Sequence, residues 1–174
     1  MAAFTVIDHT ELTGTTASWS KTSIPSSYDH LLIKASMRSA NSGNNASATL
    51  RVNGETAATN YSYTALRAAT STPSSVRYTT EASLGYPTMT ATTALADTFS
   101  PVTIWIPNYA NTANFKQVLW YGGNFYNSTT DWDWQLKITA ALWSNTDAID
   151  EIEMATGSSF VQYSTFTLYG VTGA

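Results

Sequence analysis

Apolar and polar residues alternate with a period of two along most of the 174-residue chain, and no stretch repeats at the 3.6-residue period of a helix. The chain therefore reads as β-strands separated by turns. Residues 28–39 place Leu31, Ile33, Ala35 and Met37 on one face and Leu32, Lys34, Ser36 and Arg38 on the other, and the first set is expected to face the core. Residues 4–7 and 17–20 read as shorter strands, and Ile24-Pro25-Ser26-Ser27 as the turn into the long one, because Pro fixes φ and Ser favours turns. Asn-Ser-Gly-Asn-Asn at 41–45 reads as a loop. Residues 46–52 alternate again, with Ala46, Ala48, Leu50 and Val52 inward, and end in Asn53-Gly54. That dipeptide is the strongest short-range hairpin signal, and residues 61–63 are the expected returning strand. Residues 66–72 read as a loop or a short helical turn, and 76–82 as a strand. Residues 85–97 are small and polar with Pro87, and read as a long surface loop with one helical turn near Leu95.

The second half is more regular. Residues 99–106 and 115–121 read as strands, the latter closed by Gly122-Gly123-Asn124, and 127–130 as a turn. Residues 132–142 alternate best of all: Trp132, Trp134, Leu136, Ile138, Ala140 and Leu142 share one face, and Asp133, Gln135, Lys137, Thr139 and Ala141 share the other. This predicts a long strand with one buried face. Residues 148–155 and 160–169 complete the set, separated by Gly157-Ser158-Ser159. About nine strands at roughly 10 to 15 residue spacing, with no internal repeat, predict one all-β domain over residues 1–174. Its architecture is expected to be a two-sheet antiparallel β-sandwich of jelly-roll type, with residues 1–16 as an N-terminal arm or edge strand.

Composition sharpens this picture. Only 11% of residues are charged, against about 25% in an ordinary soluble domain, and Thr, Ser and Asn supply the polarity. With 6 Trp, 10 Tyr and 6 Phe the chain has the material for a sizeable core and lacks the profile of a disordered one. A surface this poor in charge also tolerates close packing against other chains. The net charge of -4 has the wrong sign for a phosphate-binding surface, so nucleic acid is not an expected partner. No apolar run approaches the roughly 18 residues that span a bilayer, and residues 1–7 lack the basic start of a secretion signal, so a soluble, unprocessed chain is expected and no membrane. The absence of cysteine excludes disulfides and thiolate metal sites.

Candidate chemistry is sparse. Asp8-His9 and Asp29-His30 form two Asp-His pairs, but zinc takes three or four ligands, so two separate strands would have to bring the pairs together. Asp131 and Asp133 flank Trp132, and on a strand their Cα atoms would lie roughly 6.6 to 6.8 Å apart on one face. That spacing suits a glycosidase carboxylate pair, although solvated acids that keep a sheet edge from aggregating explain it as well. Asp147, Asp150, Glu151 and Glu153 form an acidic cluster without the alternating oxygen ligands and Gly of a calcium loop. No Gly-x-Ser-x-Gly and no phosphate loop is present. No catalytic, metal or cofactor-binding residue is therefore expected. Trp120, Tyr121, Phe125 and Tyr126 bracket Gly122-Gly123, and aromatic rings beside Asn and Asp hold sugars or cover a subunit contact. These four are the expected interaction residues. Three Asn-x-Ser/Thr triplets, at Asn45, Asn60 and Asn127, carry no weight without a secretion signal.

A succession of short strings also resembles a family of virion structural proteins of tailed bacteriophages. It runs through Ile24-Pro25, Tyr28-Asp29-His30-Leu31, Ser36-Met37-Arg38-Ser39, Leu50-Arg51-Val52-Asn53-Gly54-Glu55 and Asn60-Tyr61-Ser62-Tyr63. It continues at Ile106-Pro107-Asn108-Tyr109, Trp143, Ala148-Ile149-Asp150-Glu151-Ile152, Phe160 and Thr167-Leu168-Tyr169-Gly170-Val171. The resemblance implies a jelly-roll domain on the virion exterior, without catalytic residues. It further implies the role of a capsid decoration or cement protein that bridges subunits of the major capsid protein, usually as a homotrimer or dimer. The alternative it implies is a receptor- or carbohydrate-binding tip domain of a tail fibre or spike. No coiled-coil or repeat-rich shaft precedes the first strand, which favours decoration, and residues 1–16 are the stretch expected to reach a neighbour by adding a strand.

Overall fold

Twelve strands form in the computed structural model, which describes residues 3–69, 72–125 and 135–173. They are β1 (Ala3–Glu11), β2 (Thr16–Lys21), β3 (His30–Met37), β4 (Asn45–Val52), β5 (Tyr61–Ala68), β6 (Ser74–Glu81), β7 (Thr88–Thr90), β8 (Ser100–Pro107), β9 (Lys116–Asn124), β10 (Gln135–Trp143), β11 (Ile152–Phe160) and β12 (Thr165–Thr172). Among the described residues there is no helix. All named strand pairs are antiparallel. One sheet has the order β1-β12-β3-β8-β9-β10-β5-β6, and the other β2-β11-β4-β7.

The winding follows from the pairings. β1 pairs with β12, β2 with β11, β3 with β8 and β4 with β7, as in one long hairpin. Rolling that hairpin up then lays β12 beside β3 and β11 beside β4. This is the jelly-roll sandwich expected from the spacing of the strands. Two inserted pairs, β5-β6 and β9-β10, both join the large sheet beyond β8. They make it twice as wide as its partner, and that asymmetry positions everything functional below.

Between the sheets the inner faces meet in a core containing Leu31, Ile33, Met37, Leu50, Ile104 and Met154. Trp19 stacks on Phe166 at 5.0 Å between ring centroids, and Phe160 meets Phe166 edge-on at 5.2 Å. β3 and β4 bury the faces their alternation predicts. Of the two forms expected for the N-terminal stretch, the described part takes that of an edge strand: β1 is the outermost strand of the large sheet, with a bulge between Val6 and Asp8.

Other expectations are corrected. Asn53 and Gly54 do form the predicted tight turn, with φ of 51° and 61° and a bond of 3.0 Å from Glu55 N to Val52 O. The turn does not make a hairpin, because β4 and β5 lie in different sheets. Long-range bonds redirect the chain: the Asn53 side chain accepts from Asp150 N and Glu151 N and donates to Ala148 O, and the Tyr61 hydroxyl bonds Val52. Residues 66–68 belong to β5, and the expected surface loop at 85–97 contains β7, whose three residues are all buried. β9 runs through Gly122-Gly123, where a Cβ would stand 2.8 Å from Pro101 O and 2.7 Å from Gln135 O respectively. Glycine there admits close strand neighbours and does not signal a turn. β11 likewise continues through Gly157-Ser158-Ser159, absorbing them in a register shift between Ala155 and Phe160.

Arg38 departs from its strand face. Just past β3 it bridges to Thr90, and the residue is buried at 8% exposure. Nη1 donates to Leu95 O, Thr98 O and Thr98 Oγ1 at 2.8, 2.9 and 3.0 Å, and Nη2 to Ala94 O at 3.2 Å. The planar fork thereby gathers the inward carbonyls of the loop that joins β7 to β8.

Candidate functional site

The predicted long strand after residue 131 is found as β10, and its orientation is the decisive observation. Leu136 and Ile138, on the apolar face, are 65% and 44% exposed, whereas Lys137, Thr139, Ala141 and Trp143 point inward and are buried. Alternation separates the two faces but does not say which one the rest of the fold will cover. Here β10 lies in the part of the large sheet that extends beyond β8, with Trp120 of β9 and Leu84 packed on its inner side.

Outside, this places apolar side chains in register across four strands. Thr103, Tyr121, Ile138 and Leu66 form one row, and Trp105, Leu119, Ala140 and Thr64 the next. Along β8, β9, β10 and β5 no outward position of the described residues carries a charge. With strands about 4.8 Å apart and about 27 Å long, the panel covers on the order of 500 Å² of sheet, its apolar positions interspersed with the polar Ser62, Thr64, Thr103 and Gln117. A shallow hollow of about 380 Å³ against Leu66, Pro73, Leu136 and Ile138 deepens one side of it.

The inner face of the same extension holds a polar cleft. β7, at the edge of the small sheet, packs on β8 and β9, so the inner faces of β10, β5 and β6 continue past it. Residues 84–87 bond along β4, through Leu84 N to Leu50 O and Ala48 N to Pro87 O, and roof part of this space. What remains is a cleft of about 410 Å³. Tyr63 has Tyr78 at 4.9 Å and Tyr86 edge-on at 6.2 Å, and the Tyr86 hydroxyl donates to Glu81 at 3.0 Å. Lys137, 9% exposed, donates to Tyr86 O at 3.2 Å, and its ammonium sits 5.4 Å from the Trp120 ring centroid. Burial, and next the positive charge of Arg67, lower the Lys137 pKa to about 8. Burial likewise raises Tyr63 and Tyr86. Thr88, 3% exposed, lines the cleft, and its Oγ1 has no hydrogen-bond partner among the described residues.

A pH dependence of stability follows. A lysine whose folded pKa is below its unfolded value binds fewer protons when folded, so stability rises with pH between the two. For Lys137 that window runs from about 8 to 10.5, and the rise between pH 8 and 10 is about 2 kcal/mol. Lys116, lowered by burial, adds in the same direction. Above pH 10 the sign reverses, because burial raises Tyr61 to about 12 and the unfolded tyrosine ionises first. Urea denaturation of Lys137→Met from pH 7 to 10 is expected to show a distinctly shallower rise than the parent; an unchanged slope would contradict this.

The three described members of the predicted interaction set do not form one platform. Trp120 is core: it is fully buried and donates from Nε1 to Leu84 O at 2.8 Å. Tyr121, its neighbour, faces outward and belongs to the panel. Phe125 is exposed at the end of β9, beside a hollow shared with Pro101, Gly123 and Leu136. Tyr126 lies outside the described residues, as do Asp131 and Asp133.

The Asp-His pairs stay apart, on β1 and at the start of β3 with β12 between them. His9 bonds Thr167 Oγ1, and His30 Nδ1 accepts from Asn108 N. The acidic cluster disperses as well, with Glu153 3.9 Å from Arg51. Among the described residues no three His, Asp or Glu side chains converge on a metal-sized point. Sequence reasoning missed Lys137, Thr88 and the three tyrosines; a lone Lys on the polar side of the best-alternating strand was the available signal for the first.

No protein-family model and no curated protein matches the chain. Among solved structures, the flagellar cap protein FliD D1-D2-D3 domains from Escherichia coli align with 100% of this chain and 58% of that chain, at 12% identity and a TM-score of 0.15. A likeness at that level carries no argument about fold or function. Among the described residues no helix is long and apolar enough to cross a membrane.

Proposed function

We propose that this chain is a non-catalytic structural protein of a phage virion, a capsid decoration protein that works through buried area. It associates with further copies of itself across the β8-β9-β10-β5 panel, and the resulting dimer or trimer bridges major capsid protein subunits on the outer surface of the particle. The observation that carries the reading is the outward apolar face of β10 within a panel that holds no charge. A second copy is the occupant favoured by charge. Within the panel a charged partner group would lose hydration without gaining an ion pair, the nearest cations being Lys34 beside Thr103 and Arg77 beside Thr64 at its two rims, whereas this chain, with 11% charged residues, offers a matching neutral surface. Binding only the assembled shell stabilises it by mass action, and many modest contacts add together.

A second reading, a receptor- or carbohydrate-binding tip domain of a fibre or spike, draws on the tyrosine-lined cleft. Abundance separates the two. Quantitative mass spectrometry of purified particles is expected to find this chain in fixed, near-stoichiometric ratio to the shell protein. A trace amount would favour the tip domain, and absence from particles would overturn both virion readings.

A further inference from the structure

The geometry points to a binding site for a carboxylate-bearing sugar in the cleft between β5, β6, β10 and the start of β7. This deepens the carbohydrate-binding reading and rests on the cleft, not on where the chain sits in a particle. Three features of the cleft converge on that ligand. The first is a cationic floor: Lys137 spends one bond on Tyr86 O and has an ammonium group with further donors to offer, and Arg67 lines the same cleft. Two cations with one carboxylate, Glu81, which itself accepts from Tyr86, leave the cleft net positive in a chain of net charge -4. An anionic group is what such a pair attracts, and the low-dielectric setting strengthens the attraction.

The second feature is aromatic. Tyr78 stands 43% exposed beside Tyr63, presenting a flat apolar surface with a hydroxyl at its tip, suited to the face of a sugar ring. The third is the hydroxyl of Thr88, buried and unpartnered inside the cleft. A buried polar atom without a partner is costly, and a ligand hydroxyl or carboxylate supplies the missing bond. The volume of about 410 Å³ accommodates one or two sugar rings.

A matched pair of probes tests the site: methyl β-D-glucuronoside and methyl β-D-glucoside, which differ in a carboxylate against a hydroxymethyl group. Titrations of the full chain, followed by NMR of the Thr88, Tyr86 and Lys137 backbone amides, are expected to shift these signals with the glucuronoside. Its Kd should be about tenfold lower than that of the glucoside, the worth of one charge-assisted contact. Lys137→Met keeps the aliphatic stem over Trp120 and is expected to abolish the preference, while Tyr78→Ala weakens both ligands. Equal binding of the two probes would overturn the carboxylate inference and leave a neutral-sugar site standing. No shift of the cleft amides with either probe would overturn both, and the probe ratio in the parent protein decides the matter even if a variant fails to fold.

Discussion

Arg38→Met is expected to lower stability by about 2–3 kcal/mol in urea or guanidinium denaturation, and the melting temperature by roughly 5–10 °C. The residue is buried and no carboxylate among the described residues pairs with it; its charge is balanced by the carbonyls of Leu95, Thr98 and Ala94. Removing it takes the guanidinium donor from Ala94 O and one donor each from Leu95 O and Thr98 O, and a buried group left unsatisfied costs about 1–3 kcal/mol. Thr98 O keeps Thr90 Oγ1 at 2.7 Å and Leu95 O keeps Thr98 Oγ1 at 2.7 Å, so the loss is less than the full sum. Arg38→Lys should fall between parent and Met, because three donors on a point charge cannot span acceptors arranged around a planar fork. A loss below about 1 kcal/mol for Arg38→Met would mean that the 91–98 loop is held by other contacts.

The other large effect concerns association. Analytical ultracentrifugation of the parent chain is expected to show a concentration-dependent oligomer, and Leu136→Asp with Ile138→Asp to weaken it at least about a hundredfold. Burying one aliphatic side chain is worth about 1.5–3 kcal/mol, and a carboxylate in its place would be desolvated without a partner. Both positions are exposed in the isolated chain, so the double variant should keep its fold and its circular-dichroism spectrum. A parent chain that remains monomeric at high micromolar concentration would remove the self-association proposal. A double variant that associates as the parent does would move the contact elsewhere, with the free edge at β1 and its exposed Phe4 and Val6 as the next surface to substitute.

Much of the architecture was legible in the chain. The period-two pattern marks β3, β4, β8 and β10, and at β3 and β4 it also names the buried side correctly, because there only one face is apolar enough to fill a core. The candidate site was legible only in fragments. Trp120 and Tyr121 are adjacent in sequence, and the pleat sends them to opposite faces, so their proximity in the chain meant separation in space. The cleft draws Tyr63, Tyr78, Tyr86, Thr88 and Lys137 from four strands and a loop, and local pattern does not tell which distant strands will be neighbours.

The amino-acid sequence by itself determined the all-β class, the tight Asn53-Gly54 turn and a charge-poor surface, since propensity, alternation and composition are local properties. Only the tertiary structure decided that β5-β6 and β9-β10 would widen one sheet, that the Asn53-Gly54 turn would cross between sheets, and that β10 would show its apolar face to the outside. The physical reason is shared: an alternating strand has two chemically distinct faces, and which of them is buried depends on what packs against it. In this chain the small sheet ends at β7, and the strands beyond it satisfy their inner face with Trp120, Trp143 and the stem of Lys137, leaving Leu136 and Ile138 free to meet another surface.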